Sequence, residues 1–117
     1  MKNQKRVLLI DDNESVLKSL QLYFESKQYH VDVVNNYPRL MTTISLTLKS
    51  QEYHDIVICD YDLGCHVNGI DVLDMIKDFY KNDPKLILMS GDYINYSQFK
   101  FLMKPFELEN LEKAINN

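Results

Sequence analysis

Residues 55–69 read Asp55-Ile56-Val57-Ile58-Cys59-Asp60-Tyr61-Asp62-Leu63-Gly64-Cys65-His66-Val67-Asn68-Gly69, and this stretch decides the fold. Its apolar run, Ile56 to Cys59, stops abruptly at Asp60. Asp62 follows, and the loop closes at Gly69. A short run rich in β-branched residues and bounded by turn signals is the pattern of a buried parallel strand. Asp60 then stands at the carboxyl end of that strand, on the rim where open α/β sheets bind ligands. A carboxylate held there by rigid backbone, facing a crevice, suits a nucleophile or a metal ligand. Taken alone, it is equally an Asp that caps the following turn.

Upstream, Arg6-Val7-Leu8-Leu9-Ile10 is another apolar run, and it too ends in acids, Asp11-Asp12. It predicts the first strand, followed by a helix capped by Asp12 or Asn13 and running to about Lys27. Val16, Leu17, Leu20 and Phe24 give that helix one apolar face. Residues 29–34 are a β-branched second strand. Pro38 suits the first turn of a second helix, with Leu40, Met41, Ile44 and Leu48 facing inward. Thr42, Thr43, Ser45, Thr47 and Ser50 weaken this helix intrinsically, so packing must hold it.

Downstream, Asn68 and Gly69 lead into a third helix with Ile70, Leu73, Ile76 and Tyr80 on one stripe. Residues 85–89 form a fourth strand finishing at Ser90-Gly91. Residues 100–103 form a fifth, followed by Lys104-Pro105. A last helix spans 107–116, with Leu108, Leu111 and Ile115 inward. Strands alternating with helices predict a parallel sheet covered on both faces. Right-handed crossovers and a switch point put strand 1 beside strand 3.

The 117 residues make one domain, 1–117, with 45% hydrophobic and 26% charged residues, values ordinary for a globular protein. The net charge of −4 argues against a nucleic-acid-binding surface. No apolar run approaches the roughly 18 residues of a membrane span, and no signal peptide opens the chain. Cys59 and Cys65 are too few for a disulfide framework and lack paired metal-ligand spacing, which favours a reducing cytoplasm.

Four strand ends therefore converge carrying Asp11-Asp12, Asp60, Ser90 and Lys104. Three clustered carboxylates resist ionising together unless a cation is present, and oxygen ligands favour a hard ion such as Mg²⁺. A lysine and a hydroxyl opposite that ion could hold the remaining oxygens of a phosphoryl group. An Asp carboxylate could attack phosphorus in line and form an acyl phosphate. The pattern points to phosphoryl transfer.

With these residues in place, the chain resembles a receiver domain of two-component response regulators over essentially its whole length. The residues that carry the resemblance are Asp11-Asp12 after strand 1 and the D-x-x-L then G pattern from Asp60 to Gly69. Ser90-Gly91 after strand 4 and Lys104-Pro105-Phe106 after strand 5 complete it. The resemblance implies a flavodoxin-like (CheY-like) three-layer sandwich with strand order 2-1-3-4-5. It implies that Asp60 is the phosphoacceptor, that Asp12 binds Mg²⁺ directly, and that Asp11 binds it through water. The backbone carbonyl of Asp62 is a further ligand, and Mn²⁺ or Ca²⁺ can substitute for Mg²⁺. Ser90 is the switch hydroxyl, Lys104 neutralises a phosphoryl oxygen and sits near Asp60 when the site is empty, and Phe101 is the switch aromatic. The Lys104–Pro105 bond is expected to be cis. The implied partners are a sensor histidine kinase or a histidine phosphotransfer protein, with a downstream effector that the sequence does not name. Such a domain is a signalling switch, catalysing only its own phosphorylation and dephosphorylation.

Three features depart from the family pattern. Gly64 replaces the frequent Pro four residues after the phosphoacceptor, which predicts a more mobile loop. Asp62 and Asp92 place acids two residues beyond Asp60 and Ser90, where they are candidates for tuning phosphoryl lifetime. Only residues 91–99 separate Ser90 from strand 5, while a parallel crossover usually takes about a dozen residues or more. The family's fourth helix is therefore expected to be missing or cut to about one turn. Output is then expected on another face: the first and last helices, or Tyr93 and Tyr96.

Other readings are blander. Asp11-Asp12 could cap a helix, Ser90 could be a turn residue and Lys104 a surface charge, but their convergence argues against all three. His30, His54 and His66 have no partner at ligand spacing and are expected to face solvent. Met75, Met89 and Met103 are expected to fill core gaps, and the tyrosines to line the core boundary. Two rival functions remain. The Asp60-x-Asp62 pattern is similar to that of haloacid-dehalogenase-type phosphatases, yet it follows the third strand rather than the first, and the chain has no room for a cap. A pseudo-receiver, a binding module that keeps the fold without phosphorylation, is the other.

Overall fold

The computed structural model describes residues 4–64, 66–94 and 98–117. In order, the elements are β1 (Arg6–Ile10), α1 (Glu14–Ser26), β2 (His30–Val34), α2 (Tyr37–Ser50) and β3 (Ile56–Asp60). They continue with α3 (Gly69–Phe79), β4 (Lys85–Ser90), β5 (Lys100–Met103) and α4 (Leu108–Asn116). The five strands pair in parallel in the order β2-β1-β3-β4-β5, a flavodoxin-like sheet.

Strand alternation splits the core between the two faces of the sheet. Leu8, Ile10, Val57, Cys59 and Leu88 pack with Leu40 and Ile44 of α2 and Leu73 and Ile76 of α3. Val7, Leu9, Ile58 and Met89 pack with Leu17, Leu20 and Phe24 of α1 and Leu111 of α4. Central strands buried on both faces read as continuous apolar runs for this reason. Asn13, Asn36 and Asn68 cap α1, α2 and α3, each side chain accepting the backbone N–H three residues on. Asn13, not Asp12, is therefore the cap of α1, and Asp12 is left free for the sheet's rim.

Several expectations about facing are corrected. In α2, Thr47 is buried beside Leu40 and Ile44, while Met41 and Leu48 are only partly covered. Its hydroxyl donates to the Thr43 carbonyl at 2.8 Å, which lets a polar residue enter the core. In α3 the buried stripe is Val72, Leu73 and Ile76, with Ile70 at its margin. Leu108 opens α4 on its exposed side, and Met103 points outward from β5. Of the other two methionines, Met89 is buried and Met75 partly so. His54, expected to face solvent, is fully buried.

Between β4 and β5 no helix forms among the described residues 91–94 and 98–99; Asn95, Tyr96 and Ser97 lie outside the described residues, as does Cys65. Phe99 is buried in the core there, and Ile94 and Phe101 pack, partly buried, against the same core. Burying one such ring contributes about 1.5–3 kcal/mol. No helix among the described residues is long and apolar enough to cross a membrane.

Candidate functional site

Four strand ends deliver the polar residues to one rim. Asp11 follows β1 and is almost wholly buried. Its Oδ1 accepts the Asn13 N–H at 3.0 Å and its Oδ2 the Lys104 ammonium at 2.8 Å. Asp60, the last residue of β3, is buried too, and its Oδ1 accepts from the same ammonium at 2.9 Å. Asp12 is exposed beside them, and the three carboxylates present oxygens all within 4.8 Å of one another. Lys104 is aimed by its backbone: its N–H donates to the Ser90 carbonyl at 2.8 Å, and the next peptide bond, to Pro105, is cis.

Ser90 ends β4 with its hydroxyl oxygen accepting the Asp92 N–H at 3.1 Å. Asp62 is exposed, and its carboxylate accepts the Gly64 N–H at 3.1 Å, which closes a local turn. Gly64 itself is left-handed, with φ +71°, so glycine stands there for conformational reasons. Phe101 is half-buried on β5, and the exposed Tyr93 ring meets it edge-on at 5.7 Å.

One ammonium, paired with Asp11 and Asp60, stands against three carboxylates and leaves the rim short of positive charge. Burial raises the Asp60 carboxyl above its ordinary range; the Lys104 hydrogen bond opposes this, and the charges of Asp11 and Asp12 reinforce it. Burial alone would lower Lys104, but its hydrogen bonds to Asp11 and Asp60 outweigh that and hold it above the usual lysine value. All-oxygen donors carrying uncompensated negative charge fit a hard divalent ion such as Mg²⁺. The donor chemistry therefore suits the ion that the sequence implied.

Residues 7–116 match the response regulator receiver domain. The chain belongs to that family. Among similar receivers, the two-component response regulator ARR10 of Arabidopsis thaliana is 28% identical over 116 residues, an alignment covering 92% of this chain and 20% of that protein. The chain thus spans about a fifth of the length of that curated relative. The signal receiver domain of an HD domain-containing protein from Pseudomonas fluorescens Pf-5 superposes with a TM-score of 0.76. That match is at 24% identity and covers 97% of this chain and 92% of the other. A response regulator from Burkholderia pseudomallei, solved with a phosphorylated aspartic acid, a calcium ion and citrate, gives 0.75 at 23% identity, covering 97% and 68%. These likenesses, below 25% identity, speak for the receiver fold.

The structure brings together Asp11, Asp12, Asp60 and Lys104, while Ser90 reaches the rim from β4 and Phe101 stands on the neighbouring strand. Asp62 and Asp92 flank the rim, with the Asp62 carboxylate engaged in its own turn. Sequence reasoning missed the role of Gly69. A Cβ there would stand 2.3 Å from the Asp60 carbonyl oxygen, so only glycine lets α3 begin against the end of β3. The signal was visible as a glycine after an Asn cap, but close approach cannot be read from a cap.

Proposed function

We propose that this receiver is a phosphorylation-dependent signalling switch with Asp60 as the phosphoacceptor. The observation that carries the reading is the Lys104 ammonium held 2.9 Å from Asp60 and 2.8 Å from Asp11, at a rim of three convergent carboxylates. Asp11, Asp12, Asp60 and the backbone carbonyl of Asp62 would hold Mg²⁺, with Mn²⁺ or Ca²⁺ able to substitute. Bound there, the ion neutralises charge on the incoming phosphoryl oxygens.

The Asp60 carboxylate attacks phosphorus of a phosphohistidine on a sensor kinase or phosphotransfer protein. A P–O bond to Asp60 forms as the P–N bond breaks, and the electron pair leaves on the imidazole, which takes up a proton. Lys104 exchanges part of its pairing with Asp60 for a phosphoryl oxygen. Ser90 turns its hydroxyl toward another oxygen, releasing the Asp92 N–H, and Phe101 follows as the switch aromatic. The acyl phosphate is the signal, and the chain's own chemistry is confined to making and losing it. The domain acts in the cytoplasm through a protein effector, without contacting nucleic acid itself.

With no helix among the described residues between β4 and β5, output runs through another face, the Tyr93–Phe101 pair or α1 with α4. Amide NMR shifts on phosphorylation should map there; shifts confined to the rim would overturn that assignment. The phosphoacceptor reading is tested by intact mass after incubation with acetyl phosphate and Mg²⁺, beside Asp60→Asn. A gain of one phosphoryl group that needs Mg²⁺ and vanishes in the variant supports it. No gain in folded protein would favour a pseudo-receiver that works by binding alone.

A further inference from the structure

β5 lies at one edge of the sheet, and β4 is its only strand partner among the described residues. The Lys104 N–H reaches to the Ser90 carbonyl of β4 at 2.8 Å. Backbone groups alternate sides along a strand, so Leu102 also turns toward β4, while Phe101 and Met103 turn theirs off the sheet. On that side no backbone hydrogen bond joins either of the two to another described residue. An open edge of this kind is a template for a further strand.

A groove of about 580 Å³ follows the same edge and takes its walls from both faces of β5. Phe101, Met103 and the exposed Tyr93 ring make one wall apolar. The other wall, on the side of Leu102 and α4, carries Lys100 and Lys113. Among the described residues these two lysines are the only charged groups lining the groove, in a chain whose net charge is −4. Lys113 pairs with Glu109 at 3.5 Å, but both side chains are exposed, and such a pair is too weak to withhold the ammonium from a better one.

We propose that β5 accepts, as a sixth strand, an extended segment of a partner protein whose residues alternate between apolar and acidic. Successive side chains of an added strand fall on opposite faces of the sheet. One set then meets Tyr93, Phe101 and Met103, and the other brings carboxylates to Lys100 and Lys113. Main-chain bonds to Phe101 and Met103 hold the segment, and the alternation selects it. The four residues of β5 span about 13 Å, room for three or four residues of the partner. A second copy of this chain is a poorer occupant, since its own β5 edge presents the same two lysines and no lining carboxylate. The proposal names a partner for the Tyr93–Phe101 face and rests on that part of the functional reading, not on phosphorylation of Asp60.

The experiment titrates the full unphosphorylated chain at pH 7 with the peptide acetyl-Val-Glu-Val-Glu-Val-Glu-amide and follows backbone amide exchange by NMR. Exchange at Phe101 and Met103 should slow at least tenfold at saturation, while the amides of β2, the other edge strand, keep their rates. N-methylating one set of alternate peptide amides should abolish that protection, and methylating the other set should spare it. Lys100→Glu combined with Lys113→Glu should weaken binding at least fivefold and favour the Val-Lys counterpart. Should that double variant fail to fold, Lys113→Glu serves alone, with at least twofold weakening expected. No binding, or binding that leaves Phe101 and Met103 unprotected, would overturn the proposal. So would equal protection by a Val-Val-Val-Glu-Glu-Glu peptide, or protection without peptide that grows with protein concentration and seats a second copy there. Because Asp60 takes no part, failure here leaves the intact-mass test standing, and no mass gain there leaves this titration standing.

Discussion

Gly69 lies against the carbonyl of Asp60: a Cβ at position 69 would stand 2.3 Å from that oxygen and 2.9 Å from its carbon. The Gly69 N–H also donates to the Tyr61 carbonyl at 2.8 Å, so the first turn of α3 is fixed to the backbone that carries Asp60. Gly69→Ala must push α3 or Asp60 aside, at an expected cost of about 1–3 kcal/mol in urea unfolding. Gly64→Ala meets only an ordinary 3.5 Å contact with Asp12 and pays for its left-handed backbone alone, about 1 kcal/mol. Phosphoryl uptake should fall in the first variant and persist in the second; the reverse order would show that close approach is not what position 69 supplies.

Asp60 binds its proton more tightly in the folded chain than in the unfolded one. Stability tied to it is therefore present below the unfolded carboxyl value and lost as pH rises through the higher folded value. At pH 7 in metal-free buffer, Asp60→Asn should be the more stable protein by several degrees in Tm, about 1 kcal/mol. The gap should close toward pH 3.5. Adding Mg²⁺ should raise the wild-type Tm more than the variant's, because an ion bound only by the folded state stabilises it. A variant no more stable than wild type at pH 7 would contradict the charge-crowded rim.

Lys104→Met removes both ion pairs at once and leaves the buried Asp11 charge without its partner. Breaking a buried pair from one side costs about 3 kcal/mol. Calorimetry without metal should register that loss, and saturating Mg²⁺ should restore part of it. A loss below about 0.5 kcal/mol would place Lys104 among ordinary surface lysines.

Asp32 carries the opposite sign. The His54 hydrogen bond is the main force lowering its carboxyl below the usual range, against a contrary pull from burial. Its contribution is present above the unfolded value and is lost as pH falls through the lower folded one. Asp32→Asn should therefore cost stability at pH 7, about 1–3 kcal/mol from the weakened bond to a buried ring. The difference should shrink below about pH 3.5 as the wild-type carboxylate protonates. A difference that stays constant down to pH 2.5 would show that charge at position 32 contributes nothing.

The strand order and the convergence of the acidic rim were legible because both follow from local pattern. Apolar runs such as Val7–Ile10 and Ile56–Cys59 can only be central strands, and chain direction then forces Asp11, Asp60, Ser90 and Lys104 to one edge. The shortness of residues 91–99 likewise foretold the missing helix among the described residues.

Tertiary structure alone decided the rest. Periodicity placed Leu108 inward and Thr47 nowhere, yet a hydroxyl satisfied within its own helix can be buried, and a leucine at a helix start can face water. His54 looked solvent-bound because its partners, Asp32 and Tyr80, are 22 and 26 residues away. Gly69 looked like a helix start because the oxygen it must clear belongs to a different element. Sequence specifies which residues share a strand end or a helix face, since those depend on spacing along the chain. Pairing across the chain depends on how layers settle against one another, and only packing fixes that.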